Sequence, residues 1–313
     1  VFFFSIPFLI FIIVYSNYTI FKKVEKNWIT TFNEEAIPLS NSLSHCTRVD
    51  EDNTCINLLK EKSKYNLVWF GNSQLDMINE KKENEKTAAE LLRSDFDPKK
   101  VNVVGFSHPN MSLKEFYLLL NYLLSKNIKI DYLFLGLCFD DFRESKVRDK
   151  FAKKYLLDQN THNLISKSKL GEKLISFNTE IINKPKKKEN FLFFKSEEKI
   201  VNILKEKIKY SSFSITIQRD LEVNFYKIRN YIFNVNPQSI RKVLPAAYKE
   251  NINYFEEIIK ISKEKKITLV SYIVPIRNDY KIPYEYKAYL KFKKSVESIA
   301  KKNGNHFFNL ENL

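Results

Sequence analysis

The chain is poor in glycine, proline and cysteine. Of its 313 residues, 5 are Gly, 9 are Pro and 3 are Cys. So little Gly and Pro argues against collagen-like, propeller-like and linker-dominated chains, and no internal repeat is visible. Because 44% of the residues are hydrophobic, the chain can bury a sizeable core, which excludes a disordered tail and a disulfide miniprotein. One sizeable α/β domain with insertions remains.

Motifs for cofactors and nucleic acids are missing as well. The sequence has no GxGxxG, no Walker-type phosphate loop and no His-rich ligand set, so we expect neither a metal nor a nucleotide cofactor. The net charge of +15 is compatible with nucleic acid, an anionic membrane or an anionic polymer, or with biased codon usage alone. The excess is spread along the chain without a nucleic-acid-binding motif, so we expect no nucleic-acid partner.

The N-terminus is the one long hydrophobic run. Within residues 1–15 only Ser5 and Pro7 are not apolar. Such a run is typical of a signal sequence or of the end of a transmembrane helix. The chain starts at Val1 without Met, so we expect a truncated membrane anchor over residues 1–21 and a linker or juxtamembrane segment over 22–64. A core helix is the less favoured alternative, because it would be apolar on all sides and would lead into several lysines.

Two features of the sequence give opposing predictions of the side of the membrane on which the domain lies. The lysines that follow the apolar run would keep the domain cytosolic under the positive-inside rule. Cys46 and Cys55 instead enclose a short polar loop of the kind that exported proteins often staple, which favours the extracytoplasmic face. A Cys–His metal site there has too few ligands. Cys138, in an apolar run, is expected to pack as a small hydrophobe.

From Tyr65 onward, short apolar runs alternate with amphipathic stretches, as parallel α/β sheets require. The predicted strands are Asn66–Phe70, Val101–Gly105, Tyr132–Cys138, Thr268–Val274 and His306–Asn309. The predicted helices are Thr87–Arg93, Ser112–Ser125, Tyr248–Lys265 and Tyr286–Lys302. Ser112 with Glu115 three residues later forms a capping box. We predict a flavodoxin-like, doubly wound, five-stranded parallel sheet in three layers over residues 65–313, with an insertion at about 143–246 that could form a cap.

The chemistry is expected where the first predicted strand ends, at Gly71-Asn72-Ser73-Gln74. Glycine permits a tight turn there, and a serine at the start of the next helix meets unpaired backbone N–H groups. Such groups stabilise a serine nucleophile and the oxyanion of a tetrahedral intermediate. An ordinary helix-capping serine is the alternative interpretation.

The next two predicted strands also end in polar segments, Gly105 to Asn110 and Asp140-Asp141. Together the three segments resemble the ordered blocks of the SGNH (GDSL-like) hydrolase superfamily. The resemblance implies that Ser73 is the nucleophile, with Asn72 where the family has Asp. The Gly105 to Asn110 segment falls where the family places an oxyanion-hole glycine, and His108 stands near the place of a second glycine.

The resemblance also implies the rest of the pocket. It consists of Gly71, Asn72, Gly105, His108, Asn110, Asp140 and Asp141, with Arg277 and Asn278 from the loop after the fourth strand. Asp140 replaces the family's oxyanion-donating Asn, and a carboxylate donates only when protonated. Asp140 could instead bind a cation or orient a neighbour. Asp140, Asp141, Arg143 and Glu144 could equally form a helix-start charge network. Arg277 could hold a carboxylate or phosphate, or pair with an aspartate.

The expected catalytic base is missing. The family takes it from an Asp-x-x-His pair after the last strand, and none follows His306 here, so we expect a chain truncated at the C-terminus. His45 and His162 lie in flanking segments and His306 begins a strand. His108 alone is expected at the right edge of the sheet, where a structural histidine is the favoured interpretation.

The membrane-anchored branch of the family that this chain is similar to serves D-alanine and alginate acyl transfer. The resemblance implies an anchored serine esterase or O-acyltransferase that forms an acyl-Ser73 intermediate. Its partners would be the membrane, an acylated glycan or other envelope polymer, and a membrane-bound O-acyltransferase. The alternative is a non-catalytic binding or scaffold component of the same kind of pathway.

Overall fold

The structure, a computed structural model, describes residues 44–47, 49–76, 86–108, 110–143, 146–183, 240–276 and 282–312. The predicted anchor over residues 1–21 lies outside these ranges, as do Arg277, Asn278 and most of the predicted insertion. Among the helices of the described ranges, none combines the length and the apolar composition that crossing a bilayer requires.

Six parallel strands form one sheet within the described residues. They are β1 His45–Cys46, β2 Tyr65–Gly71, β3 Val101–Ser107, β4 Tyr132–Leu137, β5 Thr268–Ile273 and β6 His306–Asn309. Their spatial order is β1-β3-β2-β4-β5-β6. All five predicted strands are confirmed, but the predicted count of five is wrong. A two-residue strand such as β1 is too short to leave a periodic pattern in a sequence.

The inner strands β2, β3 and β4 are largely apolar runs because helices cover the sheet on both sides. Successive strand residues face opposite sides, so Gly105 and Phe106 mark the two faces. Ala89 lies over the Gly105 face, while on the other face Phe70 stacks on Phe116 at a ring-centroid distance of 5.9 Å. This arrangement gives the three predicted layers.

Nine α-helical segments lie in the described ranges. They are α1 Asp52–Leu59, α2 Ser73–Asp76, α3 Ala88–Asp95, α4 Leu113–Ser125, α5 Asp149–Phe151, α6 Gln159–Ile165, α7 Lys169–Asn183, α8 Pro245–Glu264 and α9 Tyr286–Lys302. Short 3₁₀ turns occur at Val49–Glu51, Phe139–Phe142 and Leu310–Asn312, and a π-helical turn at Ala152–Leu156. The four predicted helices are confirmed as α3, α4, α8 and α9.

Helix α4 is the central helix, buried from Leu113 to Leu123. The predicted capping box at its start is confirmed, since Ser112 and Glu115 each accept the other's backbone N–H. Glu115 also accepts two hydrogen bonds from the Arg148 guanidinium, at 2.8 and 2.7 Å. This buried carboxylate therefore ties the start of the insertion to the centre of the domain.

The segment before Tyr65, expected to be a linker, contributes β1 and α1 to the domain. β1 pairs with β3, with His45 opposite Gly105 and Cys46 opposite Phe106. The expected staple is confirmed as a Cys46–Cys55 disulfide that joins β1 to α1. Within the described residues Cys138 is free and buried, as expected.

The described part of the insertion is helical and packs on α4. Ser125 Oγ on α4 lies 2.9 Å from Thr161 Oγ1 on α6, and Tyr117 Oη lies 3.1 Å from Ser168 Oγ just before α7. Residues 146–183 therefore form a helical layer beside the central helix, while the rest of the insertion up to residue 239 lies outside the described ranges.

Candidate functional site

The border between β2 and β4 is the topological switch point of the sheet. From β2 the chain crosses to β3 on one side, and from β3 it returns to β4 on the other side of β2. Ligands of doubly wound sheets bind outside the carboxyl ends of the strands at this point. Here those ends are Gly71 and Leu137, so the segments that follow them, which carry Asn72 and Cys138, form the candidate site.

Asn72 connects the two segments. Its side-chain oxygen accepts the Gln74 backbone N–H at 3.0 Å, which fixes the turn into α2, whose first residue is Ser73. Its Nδ2 donates to Asp141 Oδ1 at 3.3 Å and lies 3.0 Å from Cys138 Sγ. Because Asn72 is only 8% exposed, these bonds replace water and set the geometry of the turn.

Asp141 anchors the segment after β4. Its Oδ2 accepts the Cys138 backbone N–H at 2.7 Å, which stabilises the start of the 3₁₀ turn Phe139–Phe142. An acidic side chain at this position is what the predicted helix-start charge network needs. Burial raises the pKa of Asp141 well above its usual range. A buried carboxyl beside the Asn72 turn is the kind of perturbed group that functional sites contain.

Cys138 is a member of this site that the sequence did not indicate. Its thiol donates to Gln74 Oε1 at 3.3 Å besides meeting the Asn72 amide. Burial, and then the neighbouring Asp141, raise the pKa of the thiol well above its ordinary value. Cys138 is therefore a protonated hydrogen-bonding partner here rather than only a small hydrophobe. Its position directly after a strand end was the available signal.

Gly71 has the tight-turn role expected of it, whereas Gly105 is used within the sheet. A Cβ on Gly71 would lie 2.8 Å from Leu75 Cβ, so glycine lets α2 pack closely at the turn. The Gly105 N–H donates to Ser44 O at 2.7 Å. The pairing of β1 with β3 thus uses the Gly105 N–H, which argues against the expected oxyanion-donor role.

His108 and Asn110 lie where β3 ends, but His108 is committed to a structural pair. It is fully buried, its Nδ1 lies 3.1 Å from Thr47 O, and its Nε2 lies 3.3 Å from Asp52 Oδ1. This agrees with the structural-histidine interpretation. Asn110 is exposed with φ 56°, a left-handed conformation that Asn tolerates better than most residues.

Asp140 belongs to an ion-pair cluster. Its carboxylate accepts hydrogen bonds from Arg143 Nη1 at 2.8 Å, from Arg241 Nη1, and from Tyr284 Oη at 2.9 Å. Asp140 is therefore an acceptor in this cluster, which argues against an oxyanion-donor role. The alternative of a charge network with Arg143 is confirmed. Arg277 and Asn278, expected beside it, lie outside the described residues.

His45 is a second residue that the sequence analysis set aside. The pairing of β1 places its Nε2 2.7 Å from Ser107 Oγ and its Nδ1 2.9 Å from Thr87 Oγ1. Thr87 is the N-cap of α3 and Ser107 ends β3, so one buried ring joins three elements. The strand pairing that brings His45 to the capping box of Thr87 and Glu90 could not be inferred from the sequence.

Comparison with protein-family models, curated proteins and solved structures gives no match to this chain. Within the described ranges, no group of three or more His, Cys, Asp and Glu side chains is placed to hold a metal ion.

Proposed function

We propose that this protein is a serine esterase or O-acyltransferase of SGNH type with Ser73 as its nucleophile. The observation that carries the proposal is the position of Ser73. It is the first residue after the Asn72 turn at the carboxyl end of the central strand β2, beside the segment that follows β4. This is the switch point, where doubly wound sheets bind their ligands.

The strand order adds support. Without β1, the strand order is β3-β2-β4-β5-β6. If these five strands are numbered from one along the chain, the order is 2-1-3-4-5, the flavodoxin-like order expected for the fold that the sequence blocks resemble. The block around Ser73 and the block at Asp140-Asp141 were linked only by their order in the sequence. The Asn72–Asp141 hydrogen bond of 3.3 Å now joins them at one edge of the sheet.

The proposed reaction is acyl transfer through an acyl-serine. Ser73 Oγ attacks the carbonyl carbon of an ester and loses its proton to a base, and the alcohol leaves after taking that proton back. Water or a carbohydrate hydroxyl then attacks the acyl-Ser73 carbonyl, and the serine is regenerated. His45 and His108 already hold buried structural partners, so we assign the base to neither of them.

The proposed substrate is an acylated glycan or another envelope polymer, with a membrane-bound O-acyltransferase as partner. The Cys46–Cys55 disulfide supports a domain on the extracytoplasmic side of the membrane, because structural disulfides persist in oxidising compartments. The predicted anchor would then hold the domain at the membrane surface.

A non-catalytic scaffold is the second candidate. It is favoured by two observations on groups expected in the oxyanion hole. The Gly105 N–H is bonded to Ser44 O, and the Asp140 carboxylate is paired with Arg143 and Arg241. In this reading the sheet edge binds a polymer and Ser73 does no chemistry.

Labelling with a fluorophosphonate probe distinguishes the two, because the probe reacts only with an activated serine. We expect the wild type and Ser94→Ala to be labelled and Ser73→Ala to be unlabelled. Ser94 is an exposed serine on α3 and serves as the matched control. If no folded form is labelled, the scaffold is favoured. Labelling of Ser73→Ala would place the nucleophile elsewhere.

A further inference from the structure

A cluster of two arginines, one aspartate and one tyrosine lies beside the candidate site. Asp140 and Arg143 belong to the segment after β4, Arg241 precedes α8, and Tyr284 precedes α9. Asp140 is at its centre and adjoins Asp141, the partner of Asn72. The cluster therefore borders the switch point on the side away from β3.

Backbone hydrogen bonds fix the Arg143 guanidinium and the main chain at Arg241. Arg143 Nε donates to Lys242 O at 2.8 Å, and the backbone N–H of Arg241 donates to Pro283 O at 2.7 Å. Tyr284 Oη donates to Asp140 Oδ2, and burial raises the pKa of this tyrosine, so it stays a neutral donor. The cluster is thus preorganised.

The cluster keeps unused donors. An arginine has five N–H groups, and the two Nη2 groups of Arg143 and Arg241 have no partner among the described residues. The Arg143 side chain is 22% exposed and that of Arg241 45% exposed, so both arginine side chains reach the surface. Two guanidinium charges against the single carboxylate of Asp140 leave a net positive charge.

We propose that Arg143 and Arg241 form a subsite for an oxyanion, a phosphate or carboxylate group carried by the polymer substrate. Planar guanidinium forks bind such groups with two parallel hydrogen bonds. As a substrate subsite it rests on the proposed acyl transfer, and it names an anionic polymer as the substrate class. Anion binding itself needs no reaction at Ser73.

The competing explanation is a latch. The same contacts would fasten the chain that returns from the insertion onto the sheet, with Asp140 as the required partner of both arginines. The two explanations differ in the effect of Asp140. In a subsite its charge repels the bound anion, whereas in a latch it orients the arginines, and its loss would disorder them.

The test is isothermal titration of the full chain with inorganic phosphate at low ionic strength. We expect Arg241→Gln to weaken binding roughly fivefold or more, and Asp140→Asn to strengthen it roughly fivefold, since each changes the local charge by one unit in opposite directions. Lys242→Gln is the matched control, because it removes a neighbouring positive charge outside the cluster, and it should change affinity less than about twofold. Ser73→Ala should bind phosphate as the wild type does, which separates this proposal from the nucleophile.

Equal losses of phosphate affinity in Arg241→Gln and Lys242→Gln would overturn the proposal in favour of a diffuse positive charge. Weaker phosphate binding in Asp140→Asn would overturn it in favour of the latch. If Arg241→Gln does not fold, the same phosphate titration is made with Arg143→Gln. Co-sedimentation with phosphatidylglycerol vesicles separates the sources of the anion. If Arg241→Gln sediments with the vesicles as the wild type does, the result supports an anion carried by the polymer. If Arg241→Gln no longer sediments, the subsite binds a lipid headgroup and the proposal of a polymer-borne anion is overturned.

Discussion

Asn72 Nδ2 donates to Asp141 Oδ1 across 3.3 Å and so joins the segment after β2 to the segment after β4. Both side chains are almost completely buried. The bond therefore has little competition from water, and the position of the Ser73 turn depends on the state of one carboxyl group.

Replacing Asp141 by Asn is expected to remove a pH dependence of stability. Burial raises the pKa of Asp141 well above its ordinary 3.8, so the folded chain keeps a proton that the unfolded chain releases. The stabilising contribution is complete below pH 3.8 and is lost as the pH rises through the raised folded pKa. Asp141→Asn lacks this decline.

Urea denaturation of both proteins from about pH 4 to pH 8 measures the effect as the free energy of unfolding. The two free energies of unfolding should be closest at the acidic end, where Asp141 is neutral in both the folded and the unfolded chain as Asn is, and the wild type should fall progressively below Asp141→Asn as the pH rises. Asp95→Asn, at an exposed position, is the control for the loss of one carboxyl. Parallel pH profiles for wild type and Asp141→Asn would contradict the prediction.

Loss of the Cys46–Cys55 disulfide is expected to destabilise the domain, because the bond joins the edge strand β1 to α1. For a loop this short, the free energy of unfolding should fall by roughly 2–3 kcal/mol in the Cys46→Ser/Cys55→Ser double variant. Denaturation with and without a reductant measures this. The reductant should destabilise the wild type and leave the double variant unchanged, and an effect on both would point to another cause.

The inner strands β2, β3 and β4 could be predicted because they are largely buried on both faces and leave continuous apolar runs. The run at Tyr132–Cys138 predicted a strand that the structure has at Tyr132–Leu137. β1 has no such run, since it consists of His45 and Cys46, and its pairing depends on the distant strand β3. Pairing between distant segments cannot be predicted from the local periodicity of a sequence.

For the candidate site, the sequence predicted only the edge of the sheet at which it lies. Parallel strands end on the same side, so polar residues after β2 and β4 had to meet, and the Asn72–Asp141 bond follows from that. The partners of Asp140 could not be predicted, because Arg241 is 101 residues away in sequence. Its position depends on where the chain returns from the insertion, which no motif encodes.

Gly105→Ala is expected to destabilise the domain by about 1–3 kcal/mol through overpacking. A Cβ there would lie 2.9 Å from both Ala89 Cβ and His45 Cδ2, and neither neighbour is at the end of a flexible chain. Thermal or urea unfolding measures the loss. Adding Ala89→Gly removes one of the two clashes, so the Gly105→Ala cost should be smaller in that background than in the wild type. An equal cost in both backgrounds would show that Ala89 is not the obstacle.

The buried pair of Asp52 and His108 is expected to show strong coupling in a double-mutant cycle. Both side chains are 0% exposed, and Asp52 Oδ1 lies 3.3 Å from His108 Nε2. Removing either partner leaves the other buried without its counterpart, so each alanine variant should lose roughly 3 kcal/mol of unfolding free energy. The double variant leaves neither group stranded and should lose less than the sum by at least about 1 kcal/mol.

Lys154→Ala is the control for this cycle. Its Nζ lies 3.9 Å from Asp52 Oδ2 and its side chain is 19% exposed, so water can replace it and the loss should stay below about 1 kcal/mol. If the losses of the Asp52 and His108 variants were simply additive, His108 would not depend on Asp52. It would then be free to serve the site edge where β3 ends. Strong coupling instead makes this histidine part of the packing between α1 and β3, which leaves the base for Ser73 to another group.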